Sequence, residues 1–402
     1  MLLLVGDALI KLKELESDSI QSCVTSPPYF GLRDYGTGQW ERGDPACEHS
    51  VGSQVADSKY PNAIQTGQRP GVDSSHCKKC GATRVDLQIG LEQSPKDYIS
   101  KLVEVFRGVR RVLHPSGTLW VVIGDSYFGG ARGCQDLKPK DLIGIPWILA
   151  FALRADGWYL RSDIVWEKLN CMPESVTDRP TRSHEYIFLL TKQARYFYDA
   201  VAIREPAASA NPDDPSYRSK RSVWNINPRP YLGAHFATFP EELPSICIRA
   251  GTSEKGCCPT CKAPWARILD KAALEPVDYE GKWSNTEEQS SGRRMLANAR
   301  ARRMAGEPHD NPFPAPVTLG WKPTCKCPAH EPIPCTVLDP FAGSGTTLAV
   351  ATELRRDFVG IELNPEYLKL IEQRLEGPLR EEAMRKSFDE AMAYADSLPS
   401  EY

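Results

Sequence analysis

The sequence carries no surplus of positive charge: 49 Lys and Arg against 52 Asp and Glu leave a formal net charge of −3. A chain with that balance does not hold a polyanion by bulk attraction, so any phosphate backbone it meets must be gripped by local clusters. No apolar run is long enough to cross a bilayer, and the opening stretch MLLLVGDALIKLKELE has no basic leader ahead of its apolar residues. Neither a membrane partner nor export is expected, and the expected location is cytoplasmic. Internal repeats are absent, which removes solenoids and propellers. Two phosphate-cradling patterns are missing as well, G-x-G-x-x-G and G-x-x-x-x-G-K-[ST]. What remains is a folded chain, 41% hydrophobic and 25% charged, whose 402 residues suffice for one large domain with one or two smaller modules.

Cysteine, by contrast, is plentiful. There are 13, and the odd count and C-x2-C spacing argue against a disulfide framework and for metal sites beside a few buried thiols. Residues 40 to 90 are polar and poor in aliphatics, and hold Cys47-x-His49, then Cys77-Lys78-Lys79-Cys80-Gly81. Two thiolates on one tight turn, with a glycine to permit the bend, make half of a tetrahedral zinc site. Cys47 and His49 would complete it, although His76 could replace His49. A second set, Cys258, Cys261, Cys325 and Cys327, would pin the base of a long insertion, with Cys257, His330 and Cys335 as competing or spectator groups. Closed four-ligand sets leave no open position, so structural zinc is expected, one or two ions, and not catalytic zinc. Residues 275 to 315 are charged, polar and expected to be mobile. Their Arg293, Arg294, Arg300, Arg302 and Arg303 could follow a phosphate backbone or line a solvated helix.

Hydrophobic periodicity lays out the rest. Leu2 to Val5 reads as a strand, and Ala8, Leu9, Leu12 and Leu15 recur at helical spacing behind Asp7, a candidate N-cap. Ile20 to Val24 is a short buried strand. Ser94 and Pro95 open an amphipathic helix to Leu113, and His114-Pro115-Ser116-Gly117 reads as a turn into the strand Thr118 to Ile123. A helix over 142–154 leads to two strands, 159–167 and 185–191, whose short connection predicts antiparallel pairing. Residues 200 to 233 are irregular, with Arg218, Lys220, Arg221, Trp224, Asn225 and Arg229 interleaved, a solvated loop or a set of nucleic-acid contacts. A helix from Phe239-Pro240 to Ala250 stops at Gly251, strands 336–339 and 358–361 flank a helix reaching Leu354, and a charged helix follows 377. Alternation of strand and helix predicts an α/β fold: a doubly wound, mostly parallel sheet with an antiparallel addition at one edge, interrupted by zinc-pinned insertions.

Two stretches carry chemistry. Ser26-Pro27-Pro28-Tyr29 follows the buried strand, and its prolines fix the backbone and donate no N–H. The result is a rigid lip offering a hydroxyl, bare carbonyls and an aromatic face, which suits a planar ring bearing an amine. Asp339-Pro340-Phe341-Ala342-Gly343-Ser344-Gly345-Thr346 joins a strand to a helix through a glycine turn, and Glu362 ends the next strand where it can accept from ribose hydroxyls. Gly343 and Gly345 would let a ligand approach the backbone. With no pyrophosphate cradle, the ligand expected here is a nucleoside.

Together these stretches resemble the amino-group DNA methyltransferases. The glycine turn looks like their S-adenosylmethionine motif and Ser26-Pro27-Pro28-Tyr29 like their catalytic motif, and catalytic before cofactor is the order of the permuted beta class. Gly6-Asp7-Ala8, Trp166-x-Lys168, His184-Glu185-Tyr186 and the segment from His235 to Ala250 also fit. The resemblance implies a class I methyltransferase-like fold and the cofactor S-adenosylmethionine. Asp7 would lie at its adenosine end, Asp339 to Thr346 would wrap it, Glu362 would take its ribose, and Phe239 and Pro240 would close one side. It divides the chain into a catalytic half (1–40, 90–200), a zinc-binding insertion (41–89), a target-recognition segment (201–234), a cofactor half (235–251, 333–377), a second insertion (252–332) and a helical tail (378–402).

The implied partner is double-stranded DNA with its target base flipped out, together with a cognate restriction endonuclease if the enzyme is not an orphan. Serine at the first motif position is commoner among enzymes acting on cytosine N4 and aspartate among those acting on adenine N6, so N4-cytosine is favoured. Adenine N6, RNA methylation and an inactive zinc-containing DNA-binding protein are the alternatives.

Overall fold

The computed structural model describes residues 1–31, 37–49, 76–129, 136–171, 173–206, 217–228, 238–270 and 317–375. The loop 32–36, His235, Arg229, the stretch expected to be mobile and the expected helix after 377 lie outside the described residues.

Eight strands form one sheet. In chain order they are β1 (Leu2–Val5), β2 (Ile20–Thr25), β5 (Leu113–Ile123), β6 (Tyr159–Glu167), β7 (His184–Thr191), β10 (Val223–Asn225), β13 (Thr336–Asp339) and β14 (Asp357–Glu362). The remaining strands pair outside it: β3 (Gln39–Glu41) with β4 (Thr83–Val85), β8 (Glu205–Pro206) with β9 (Tyr217–Arg218), and β11 (Trp265–Leu269) with β12 (Thr318–Pro323). Spatial order in the sheet is β1-β14-β13-β2-β5-β7-β6-β10. Every pairing is parallel except those of β7, which runs antiparallel to both β5 and β6. The antiparallel strand is therefore third from the edge, not at it: the expected 159–167/185–191 pair forms, and β10 extends the sheet beyond it.

Helices cover both faces. On one lie α1 (Ala8–Leu12), α2 (Pro95–Val112) and α3 (Ile145–Ala155), and on the other α4 (Glu242–Gly251), α5 (Thr346–Glu353) and α6 (Tyr367–Leu375). Sandwiched between them, β2 is buried at every position, as a central parallel strand must be. α2 forms because Ser94 accepts from the Asp97 amide at 3.2 Å, proline occupies its first turn, and Tyr98, Leu102, Val105, Phe106 and Val109 all point inward. Each such side chain contributes about 1.5–3 kcal/mol of burial. α3 starts at Ile145 because Asp125, at the end of β5, accepts from the Gly144 and Ile145 amides at 2.9 and 3.0 Å.

One punctuation mark behaves differently from expectation. His114–Gly117 is no turn: it is a bulged lead-in to β5, since Leu113 opposes Ile20 and Thr118 already opposes Ser22. Gly251 ends α4 as expected, and a Cβ there would lie 2.4 Å from Thr118 Oγ1 and 2.7 Å from Ser22 Oγ. The missing side chain lets that helix rest on the sheet.

Candidate active site

β2 and β13 are parallel neighbours, with Val337 opposite Ser22 and Leu338 opposite Cys23. Their C-terminal ends thus emerge side by side, one into Ser26-Pro27-Pro28-Tyr29 and the other into the glycine turn. Side chains stitch the two exits together. Thr25 Oγ1 donates to Asp339 Oδ1 at 2.6 Å, the Phe341 amide donates to the same oxygen at 3.1 Å, and Thr347 Oγ1 donates to the Val24 carbonyl at 3.2 Å. Burial pushes the Asp339 carboxyl up to about 6 against the pull of these donors. Pro27 is buried while Ser26, Pro28 and Tyr29 remain half-exposed at the sheet's end.

The glycine turn is held from below and left bare on one side. Gly343 has φ +54° and Gly345 φ +77°, the left-handed region that glycine enters without strain. A Cβ on Gly343 would find only the Phe341 carbonyl, 3.9 Å away, so that residue faces open space. On Gly345 it would sit 3.1 Å from Ile371, so this glycine makes room for α6. The Gly343 amide donates to Glu362 Oε2 at 2.7 Å and the Asn364 amide to Glu362 Oε1 at 2.9 Å. Burial nevertheless pushes Glu362 up to about 7. β1 brings Asp7 alongside, since Val5 opposes Glu362 and the Gly6 amide donates to the Glu362 carbonyl at 2.8 Å. Asp7 accepts from the Ile10 amide at 3.1 Å and caps α1, as its sequence context predicts.

Ser344 and Thr346 turn inward, where Arg374 of α6 donates to their hydroxyls at 2.8 and 2.7 Å and also reaches Glu241 at 3.4 Å. The Phe239-Pro240-Glu241 segment is thereby tied to the turn, with Phe239 packed on the core and Pro240 buried. Sequence reasoning passed over Arg374. A signal existed: it falls on the stripe of Tyr367, Ile371 and Leu375, and an arginine on an apolar face needs polar company.

The lip is braced equally firmly. Tyr98 Oη donates to the Pro28 carbonyl at 2.8 Å, and the Gly31 amide donates to the Gly90 carbonyl at 2.8 Å. Tyr29 Oη donates to Glu185 Oε2 at 2.6 Å, while Lys168 pairs with Glu185 Oε1. Burial, with Glu185 beside it, pushes the Tyr29 phenol well above its ordinary value, so it stays a donor.

A protein-family model described as DNA methylase, for the N6/N4 type, matches residues 20–258 and 331–373. The chain belongs to this DNA methylase family. Its first matched block holds the lip, Lys168 and Glu185, and its second holds the glycine turn and Glu362. The methylase is 37% identical over 391 residues to the Type II methyltransferase M.Cfr9I of Citrobacter freundii, covering 92% of this chain and 86% of that one. It is 36% identical over 392 residues to the Type II methyltransferase M.SmaI of Serratia marcescens, covering 93% and 90%. Among solved structures, the PvuII DNA methyltransferase (cytosine-N4-specific) superposes with a TM-score of 0.51 over 97% of this chain and 92% of that one, at 15% identity. That likeness is one of fold, and it is of the class I-like kind that the resemblance implied.

Both expected cysteine sets come together in the methylase. Cys47, His49, Cys77 and Cys80 have their ligand atoms within 4.8 Å of one another, as do Cys258, Cys261, Cys325 and Cys327. His76 is not among the first set, nor Cys257, His330 and Cys335 among the second. The two sets sit at opposite ends of the sheet. The first hangs from the β3–β4 ribbon, whose chain runs on to Gly90 beside the lip. The second lies by the N-terminal ends of β2 and β13, where Gln21 donates to the Lys262 carbonyl at 3.1 Å and accepts from the Thr336 amide at 2.7 Å.

The basic stretch is largely committed within the fold. Arg218, Lys220 and Arg221 surround one carboxylate, Glu205, at 2.9, 3.8 and 2.7 Å. Trp224 is buried in β10 and packs 6.4 Å from Trp120, so that aromatic is core and not a stacking platform for a ligand.

Proposed function

We propose that the methylase transfers a methyl group from S-adenosylmethionine to the exocyclic amine of a base flipped out of duplex DNA, cytosine N4 being the favoured position and adenine N6 the alternative. The observation that carries this reading is the adjacency of lip and glycine turn at the ends of neighbouring parallel strands, locked by Thr25 and Asp339.

The residues present fit the cofactor. Gly343 leaves an open side beside a buried carboxylate whose oxygens keep lone pairs beyond those given to Gly343 and Asn364, which suits ribose hydroxyls. When bound, S-adenosylmethionine supplies a methyl group made electrophilic by its sulfonium. Asp7, Asp339 to Thr346, Phe239 and Pro240 would frame the nucleoside, with Gly345, Ser344 and Thr346 acting from behind the turn through Ile371 and Arg374. An exocyclic amine is a poor nucleophile because its lone pair is delocalised into the ring. The Ser26 hydroxyl and Pro27 carbonyl can accept both amine hydrogens, aim the lone pair at the methyl carbon and stabilise the positive charge growing on nitrogen. The amine nitrogen would gain the methyl while sulfur keeps the electron pair of the broken C–S bond, and one amine hydrogen would leave as a proton to solvent. Tyr29 would stack on the flipped base. Pro28 keeps the lip rigid.

Each cysteine set also fits a structural zinc ion. Tetrahedral bonds of about 2.3 Å place thiolates roughly 3.8 Å apart, and Cys47 Sγ and Cys77 Sγ stand 4.0 Å apart. Relatives named Type II methyltransferases support a place in a restriction–modification pair, with a cognate endonuclease as partner.

The test is tritium transfer from labelled S-adenosylmethionine to duplex DNA and, in parallel, to RNA, followed by mass spectrometry of the released nucleosides. N4-methylcytosine from DNA is the expected product. N6-methyladenine would move the reading to its alternative, and label only in RNA, or in neither, would end it.

A further inference from the structure

Tyr29 is more tightly determined than a stacking ring at a strand end requires. Its hydroxyl donates to Glu185 Oε2 at 2.6 Å. Its ring lies against Gly124, where a Cβ would come within 2.7 Å of Tyr29 Cε2. Its carbonyl abuts Gly90, where a Cβ would stand 3.0 Å away. Gly124 gives the ring room and Gly90 gives its backbone room, and neither contact fixes the ring's rotation. Glu185 does. It is the second residue of β7, directly opposite Trp166 of β6 in the antiparallel register, and its other oxygen is taken by Lys168. Lys168 in turn lies over the Trp166 ring, 4.2 Å from its centroid, and both members of the ion pair are under one-fifth exposed. A half-buried carboxylate held between two donors has little freedom, so the phenol that donates to it has little either.

We infer that Glu185, held by Lys168, is the positioning residue that sets the Tyr29 ring to receive the target base. This rests on the proposed methyl transfer to a flipped base and adds to it a part for two strands, β6 and β7, that carry none of the lip or the glycine turn. Glu185 acts through Tyr29, so its effect belongs to the DNA side of the reaction and leaves cofactor affinity alone. What the phenol needs from it is an acceptor, not a charge.

The experiment is a double-mutant cycle on the full-length enzyme. Methylation of unmodified genomic DNA gives kcat/KM, and calorimetry gives the S-adenosylmethionine Kd. Glu185→Ala is expected to lower kcat/KM for DNA by about 10- to 100-fold, the scale of one base-stacking contact. Tyr29→Phe takes away the same hydrogen bond, so adding Glu185→Ala to it should cost less than about threefold more. Multiplying penalties, or a parallel loss of cofactor affinity, would overturn the inference. Because Glu185→Ala strands the Lys168 charge and could unfold the site, a second pair removes that charge. Lys168→Met with Glu185→Gln keeps an acceptor and should retain at least about tenfold more activity than Lys168→Met with Glu185→Leu, which should show the full loss. Equal activity in those two would sink the idea equally well. Wild-type enzyme that methylates no DNA at all would instead refute the proposed function.

Discussion

Thr25 donates a 2.6 Å hydrogen bond to Asp339, and these two residues are the last of β2 and of β13, one just before the lip and the other opening the glycine turn. Both are buried, Asp339 to 1% exposure, so water cannot substitute for a lost partner. Thr25→Val should therefore leave Asp339 short of a donor and cost about 1–3 kcal/mol of stability. Thermal unfolding checks the stability, and a rise in KM for S-adenosylmethionine checks that the turn has loosened. An unchanged melting temperature would mean that the bond contributes nothing.

Glu362 predicts how cofactor binding depends on pH. Its pKa in the free protein is raised to about 7, so ionising it in place is unfavourable, and the stability linked to its protonated form is lost as pH rises through about 7. Ribose hydroxyls placed there would donate to the ionised form and favour it. Binding should thus release a proton below about 7, with affinity rising up to that pH and flattening above it. Calorimetry in buffers of different ionisation enthalpy would show the proton release. Glu362→Gln should weaken binding and abolish the pH slope, and a slope that survives in this variant would assign the titration to another group.

Arg374 should matter out of proportion to its place near the end of the described chain. Arg374→Met leaves the hydroxyls of Ser344 and Thr346 without the guanidinium that satisfies them. The expected cost is about 1–3 kcal/mol of stability with a weaker grip on S-adenosylmethionine. Turnover at saturating cofactor should hold near wild type, because nothing touching the lip has changed. A fall in kcat alone would contradict this.

Elemental analysis should find two zinc ions per chain. Cys80→Ser should remove one, loosen the ribbon that leads to Gly90 and raise KM for DNA. Cys258→Ser should remove the other and lower the melting temperature while sparing kcat. A chain that purifies metal-free yet folds and works would show that the thiols act without an ion.

Local features were readable in the sequence and distant ones were not. The α2 cap, the buried run of β2 and both cysteine sets depend on residues close in sequence or on ligand chemistry that permits few partners. The lip and the glycine turn were linked in the sequence by resemblance, and the parallel pairing of β2 and β13 puts their ends side by side. Glu185 could be noticed by resemblance but not understood, since its partner Tyr29 lies 156 positions away. The packing of Gly345 against Ile371 was not readable, because a glycine in a turn does not say which neighbour needs the room. His114-Pro115-Ser116-Gly117 has turn composition, yet a strand tolerates proline and glycine where it bulges. The antiparallel strand was placed too far out because β10 is only three residues long and sits in a stretch that reads as irregular.

The four-thiolate cluster is rooted at the blunt end of the sheet, by Gln21 and Thr336, a full strand length away from the reactive edge. The family match breaks off at 258 and resumes at 331, so Cys258 ends one matched block while Cys325 and Cys327 fall in the gap. A change of length in that excursion would be absorbed at its cysteine-lined root before it could reach the serine or the glycine. Such a root makes the back of the molecule a place where sequence can be added or removed without retuning the chemistry in front.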